Sequence, residues 1–158
     1  MKSLFKKISF LWCTWFLTGK SKYAPGTVGS FFALPFAYLC AFYGSTGILI
    51  GSLFIFLTGW LASQNVLKTV NDSDPGFIVI DEVVGQTLTF VLIPMSLLTD
   101  PLYLAVGFAL FRFFDIVKIW PASFFDKKVH TAFGLMADDA VAGIYASLGL
   151  YAFHLIYS

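Results

Sequence analysis

Two adjacent acid pairs, Asp81-Glu82 and Asp138-Asp139, open long apolar stretches in a chain that holds only nine Asp and Glu among 158 residues. A glycine follows each pair within about a turn of helix, Gly85 and Gly143. Carboxylates beside apolar surface are costly unless something cationic holds them, and a hydrated divalent metal is the usual partner. A single acid at a helix start is ordinary capping of free N–H groups. Two pairs with the same pattern suggest two helix N-termini meeting at their acidic ends. Asp81, Glu82, Asp138 and Asp139 would then hold Mg2+, an ion that takes oxygen ligands and shares them with a phosphate. The missing side chains of Gly85 and Gly143 would let another helix or a ligand come close.

Further charged residues fall near this set. Arg112, Asp115 and Lys118 are spaced i, i+3, i+6 and share a broad helix face. The plain reading is an internal ion pair; the functional one makes Asp115 a further metal ligand and gives Arg112 and Lys118 to a phosphate. Histidine side chains in general change charge near neutral pH, and on that ground His130 suits a general acid for a leaving group, although a lone loop histidine often only hydrogen-bonds. Lys127 and Lys128 fit anionic headgroups or substrate equally. Before the first long apolar run, Lys22-Tyr-Ala-Pro-Gly-Thr27 offers a cation and a turn whose N–H groups would cradle an anion around Thr27. Absences narrow the chemistry. There is no Cys-x5-Arg, and Pro75-Gly76 follows Asp72-Ser-Asp74 where an aspartyl-phosphatase pattern needs other residues. Carboxylates with a metal are what is left.

The elements that must carry these residues are apolar. Hydrophobic residues make up 58% of the chain, charged ones 12% and aromatic ones 19%, against roughly 45–50% and about 25% for the first two in soluble domains. The expected fold class is an all-α integral membrane protein with about four to five transmembrane helices, forming a single domain over 1–158. Five runs approach spanning length: Val28–Tyr43, Thr46–Ala62, Val83–Leu98, Leu102–Ile116 and Ala140–Tyr157. Gly44-Ser-Thr-Gly47 and Thr99-Asp-Pro101 read as the tight turns of two helical hairpins. Residues 1–22 read as an interfacial amphipathic segment, retained because no small-residue cleavage pattern follows it, with Trp12 and Trp15 at headgroup depth. Cys13 and Cys40 read as buried fillers.

With the N-terminus in the cytoplasm, every Lys lies inside and the two outer turns carry none. That topology puts both acid pairs, Asp126 and His130 on one face, where membrane lipids are the surroundings and no nucleic-acid partner is implied. A divalent-cation transporter would instead need acids near the midplane or on both faces. A metal-dependent lipid phosphotransferase would need an Asp-Gly then Ala-Arg pattern, which is absent. Neither an oligomeric state nor a metal count is readable.

Ala24-Pro-Gly-Thr-Val-Gly-Ser30, Ile78-Val-Ile-Asp-Glu-Val-Val-Gly-Gln86, Phe111-Arg-Phe-Phe-Asp-Ile-Val-Lys118 with Trp120-Pro121, Phe125-Asp126, and His130 through Asp138-Asp-Ala-Val-Ala-Gly143 resemble the phosphatidylglycerophosphatase A family. They follow the family's order from about Pro25 to Gly143. The chain differs at Thr131-Ala132, where the family pattern leads to an expectation of two glycines. The resemblance implies a Mg2+-dependent lipid phosphatase of the bacterial inner membrane, its active site facing the cytoplasm. It implies removal of the terminal phosphate of phosphatidylglycerophosphate to give phosphatidylglycerol.

Overall fold

The computed structural model describes residues 2–70, 72 and 75–157. Ser73 and Asp74 of the Asp-Ser-Asp segment, and the side chain of Lys2, lie outside these. Among the described residues the chain forms seven α-helices and no strand. They are α1 (Lys2–Cys13), α2 (Pro25–Ala41), α3 (Gly44–Leu67), α4 (Ile80–Leu88), α5 (Pro101–Val117), α6 (Ala122–Lys128) and α7 (Ala132–Tyr157). Short 3-10 turns fall at Thr18–Lys20 and Met95–Thr99. Two helices, α3 with 24 residues and α7 with 26, are long and apolar enough to cross a membrane.

The centre of the bundle is the short helix α4. Ile80, Asp81, Val83, Val84, Gly85, Gln86 and Thr87 are all buried on it, with α2, α3 and α7 packed around it. Seven of its nine residues are buried, so beyond its first-turn acids α4 lacks the exposed polar face that would mark a surface helix. The third expected run does not form one helix to Leu98. At nine residues α4 is about 13 Å long. It stops where Thr87 and Thr89 turn their hydroxyls back onto the carbonyls of Val83 and Gly85, at 2.7 and 2.9 Å. Such back-bonding competes with the helix ladder. The chain beyond it turns with Phe90, Ile93 and Leu98 buried and Leu92 exposed, and Ser45 Oγ donates to the Val91 carbonyl at 2.6 Å.

Two further boundaries differ from the sequence reading. The first hairpin reverses at Phe42-Tyr43, so Gly44 to Gly47 form the first turn of α3. More important for the site, α7 begins at Ala132 rather than beside its acids. Thr131, at the position where glycine was expected, accepts a hydrogen bond from the Gly134 N–H at 3.3 Å and so caps the helix. Asp138 and Asp139 consequently sit about two turns inside α7, not at its N-terminus.

α1 lies along α3. Trp12 Nε1 donates to Thr58 Oγ1 at 3.1 Å and Trp15 Nε1 donates to the Phe32 carbonyl at 3.1 Å. The tryptophans expected at headgroup depth thus have their polar ends satisfied by the protein. The last turn of α1 is also tied to the start of α4, because the Val79 N–H donates to the Cys13 carbonyl at 2.9 Å. Both cysteines are free, with Cys13 buried. The core divides into two principal apolar clusters. One surrounds Val79, Ile80, Val83 and Met136 near the start of α4; the other gathers Ile48, Phe90, Leu98, Tyr103 and Leu150 at the far end of the bundle.

Candidate active site

Asp81 and Glu82 occupy the first turn of α4, and α7 crosses that turn closely. Gly85 lies four residues after Asp81, and Gly143 four after Asp139, so each glycine shares a helix face with its acid. A Cβ at Gly143 would meet the Gly85 backbone. One at Gly85 would meet the Phe111 ring and the Asp139 carbonyl. The two backbones touch, and that contact carries Asp139 to Asp81 and Glu82. Carboxylate oxygens of these three residues lie within 4.8 Å of one another.

Asp138 behaves differently because successive helix residues point about 100° apart. Its Oδ2 is 2.6 Å from Lys118 Nζ, which also reaches Asp126 Oδ1 at 2.7 Å. Of the four carboxylates expected to hold an ion, three therefore face one another and the fourth holds a lysine. Lys118 caps α5 in the left-handed region, at φ 48°. Such a conformation disfavours a residue with a Cβ and persists where the surroundings fix it; here two carboxylates hold the side chain. Burial pulls the Lys118 pKa down, but the Asp138 charge and the hydrogen bonds that Lys118 donates to Asp126 and Asp138 outweigh that and leave it above the usual lysine value.

Arg112 and Asp115 form the ion pair that their spacing suggests, Nη1 to Oδ2 at 2.6 Å. Arg112 Nη1 also donates to Ser30 Oγ at 3.3 Å, and the Ser30 hydroxyl donates to the Gly26 carbonyl at 2.7 Å. A Cβ on Gly26 would collide with Glu82 and lie 3.3 Å from Arg112 Nη1. The start of α2 thereby closes over the acids, with Ala24, Pro25, Gly26 and Thr27 on the wall.

These groups line one cavity of about 400 Å3, which also takes in His130 and Thr131. Of the residues expected to meet phosphate, Thr27, Arg112 and Lys118 are on its wall; Lys22 and Lys127 are not. Ser30 and the Lys118–Asp126 bond escaped the sequence reading. No spacing announces either, since each joins elements far apart in the chain.

Charge is the informative quantity. Six acids, Asp81, Glu82, Asp115, Asp126, Asp138 and Asp139, line the cavity against two permanent cations, Arg112 and Lys118. Both cations are already engaged with acids. A phosphate would be repelled unless further positive charge entered with it. The donors fit a small hard cation: they are all oxygens, they converge, and Glu82 Oε2 is buried with no hydrogen-bond partner.

The Lys118 bridge makes a prediction of its own. Lys118→Met should lower stability by about 2 kcal/mol, less than for a fully buried pair because Lys118 is partly exposed. Adding Asp138→Asn should recover part of that loss in thermal unfolding of the purified protein. A single variant as stable as the wild type would show the bridge to be structurally idle.

A family model described as "PgpA: Phosphatidylglycerophosphatase A" matches residues 11–154. A relative from Escherichia coli (strain K12) named phosphatidylglycerophosphatase A is 38% identical over 137 residues, covering 86% of this chain and 77% of that protein. One of the same name from Haemophilus influenzae is 38% identical over 130 residues, covering 82% and 78%. A third, from Bacteroides thetaiotaomicron and named putative phosphatidylinositol-3-phosphatase, is 36% identical over 148 residues, covering 84% and 85%. No solved structure matches significantly. With the family match spanning all five segments that build the cavity, this chain belongs to the phosphatidylglycerophosphatase A family.

Proposed function

We propose that the cavity hydrolyses the terminal phosphomonoester of phosphatidylglycerophosphate, giving phosphatidylglycerol and inorganic phosphate, with Mg2+ held by Asp81, Glu82 and Asp139. The observation that carries this is the convergence of three carboxylates within 4.8 Å in a cavity whose acids outnumber its cations. When bound, the ion would supply Lewis-acid polarisation of the phosphoryl group and offset its charge.

The remaining work falls to the chain's own groups. Arg112 and Lys118 present N–H donors to the phosphate oxygens while Asp115, Asp126 and Asp138 keep them in place. The first turn of α2, with free amides around Thr27, adds donors beside Arg112. Water adds to phosphorus, the bond from phosphorus to the glycerol oxygen breaks, and His130 delivers a proton to that leaving oxygen.

The setting is a bilayer, with the cavity at the cytoplasmic face of the bacterial inner membrane. Phe31, Leu39, Leu53, Phe54, Phe113, Leu148 and Leu155 all point outward, an apolar exterior that lipid would cover and water would not. α2, α3, α5 and α7 would cross. The segment 80–100 would enter as a short buried helix followed by turns that anchor to the core through Phe90, Ile93 and Leu98. The transporter alternative fares poorly, since the acid at the far end is Asp100, which caps α5 by accepting the Leu102 N–H at 2.8 Å.

Phosphate release from phosphatidylglycerophosphate by the purified protein in detergent tests the proposal. Release with Mg2+ that stops with excess EDTA is expected. Folded protein that releases nothing with Mg2+, yet carries Mg2+ into vesicles, would overturn it.

A further inference from the structure

A second concavity has no part in this chemistry. A groove of about 480 Å3 lies between α1 and the C-terminal part of α3, where Lys6, Lys7 and Lys20 surround Phe10, Leu17 and Asn65. Among the described residues no Asp or Glu lines it, the reverse of the acid-rich catalytic cavity. Lys20 Nζ stands 5.1 Å from the centroid of the Phe10 ring, which orients the ammonium over the apolar wall.

The groove backs onto the active site. Phe10 packs on Phe77 with ring centroids 5.5 Å apart, and the Gly19 backbone presses on the Phe77 carbonyl. Gly76 and Ile78, on either side of Phe77, line the catalytic cavity. One short segment therefore lines the catalytic cavity and packs behind the Phe10 wall of the groove. Between α1 and the Thr18–Lys20 turn, Trp15, Phe16 and Leu17 are all left-handed, at φ 41, 56 and 73°. That turn sends Leu17 into the basic groove and Phe16 into a neighbouring aromatic groove with Trp12, Trp15, Phe32 and Phe36.

We propose that the basic groove is a lipid site separate from the catalytic one. It takes the phosphate of an anionic phospholipid on Lys6, Lys7 and Lys20, and lays the acyl chains along the adjoining aromatic surface. The chemistry is complementary in both parts: three clustered cations suit a phosphate, and an apolar floor suits a lipid rather than a free, strongly hydrated anion. Leu4, Phe5, Ile8 and Leu11, exposed on the same helix, place that helix among lipids. The proposal rests on the membrane reading above, but not on catalysis.

Tryptophan quenching tests it on the full chain in phosphatidylcholine bilayers. Brominated phosphatidylglycerol should half-quench Trp12 and Trp15 at a mole fraction on the order of tenfold lower than brominated phosphatidylcholine does. Lys7→Gln/Lys20→Gln should abolish that preference, while Lys127→Gln/Lys128→Gln, with the same change in charge, should keep it. Equal curves for the two lipids in the wild type would overturn the site, as would equal loss in both double variants, which marks diffuse attraction. Removal of the preference by inorganic phosphate would overturn the lipid assignment in favour of a soluble anion. The same preparations assayed for phosphate release keep the two ideas apart. Release without lipid preference sinks this site alone, and preference without release sinks the catalytic reading alone.

Discussion

Asp139→Asn is expected to lower phosphate release by about a thousandfold, the scale of losing one charge-stabilising group at a reaction centre, while the protein remains folded. Stability and activity should move in opposite directions. Asp139 shares a small space with Asp81 and Glu82, their oxygens within 4.8 Å, and like charges so close repel. An isosteric amide removes repulsion without opening a void, so thermal stability should hold or rise. An acid kept for structural reasons would behave otherwise: Asp115→Asn, for example, strips Arg112 of its 2.6 Å partner and should lower stability. Asp138→Asn should be milder than Asp139→Asn in activity, because Lys118 keeps its bond to Asp126. Kinetics and thermal unfolding on the three variants separate these roles. Turnover by Asp139→Asn within about tenfold of wild type would remove the three-carboxylate site.

Much of this site is legible in the sequence because its chemistry is rare there. Nine acids in a chain that is 58% hydrophobic stand out, and the i, i+3 spacing of Arg112 and Asp115 gives their ion pair directly. The division of labour within Asp138-Asp139 is not legible. It depends on where α7 begins, and a helix start is set by local capping at Thr131 rather than by the acids themselves. Once α7 reaches back to Ala132, its 100° advance per residue aims Asp138 at Lys118 and the next acid, Asp139, at α4. The shortness of α4 was hidden for a related reason. The nine-residue helix and the turns after it, which bury Phe90, Ile93 and Leu98, read as one apolar span, since hydropathy reports environment and not backbone path. Lys118–Asp126 and Arg112–Ser30 are contacts between separate elements and leave no periodic trace.

Gly143→Ala is expected to cost both stability and activity, by up to about 3 kcal/mol of overpacking and at least about a hundredfold in turnover. Alanine inside a helix normally gains roughly 0.8–1.0 kcal/mol over glycine, so the sign depends on what the new methyl meets. At Gly143 it meets the Gly85 carbonyl oxygen, Cα and carbonyl carbon, all backbone and unable to swing aside. α7 must move away from α4, and the same displacement draws Asp139 from Asp81 and Glu82. Gly149, on the same helix, is the matched control. Its added methyl would lie 3.4 Å from the Leu110 side chain, an ordinary contact with flexible atoms, so Gly149→Ala should be neutral or stabilising and fully active. The pair of variants separates a general dislike of alanine in α7 from a specific backbone crossing. If Gly143→Ala were as stable and active as Gly149→Ala, the close approach of α4 and α7 would not be what assembles the carboxylates.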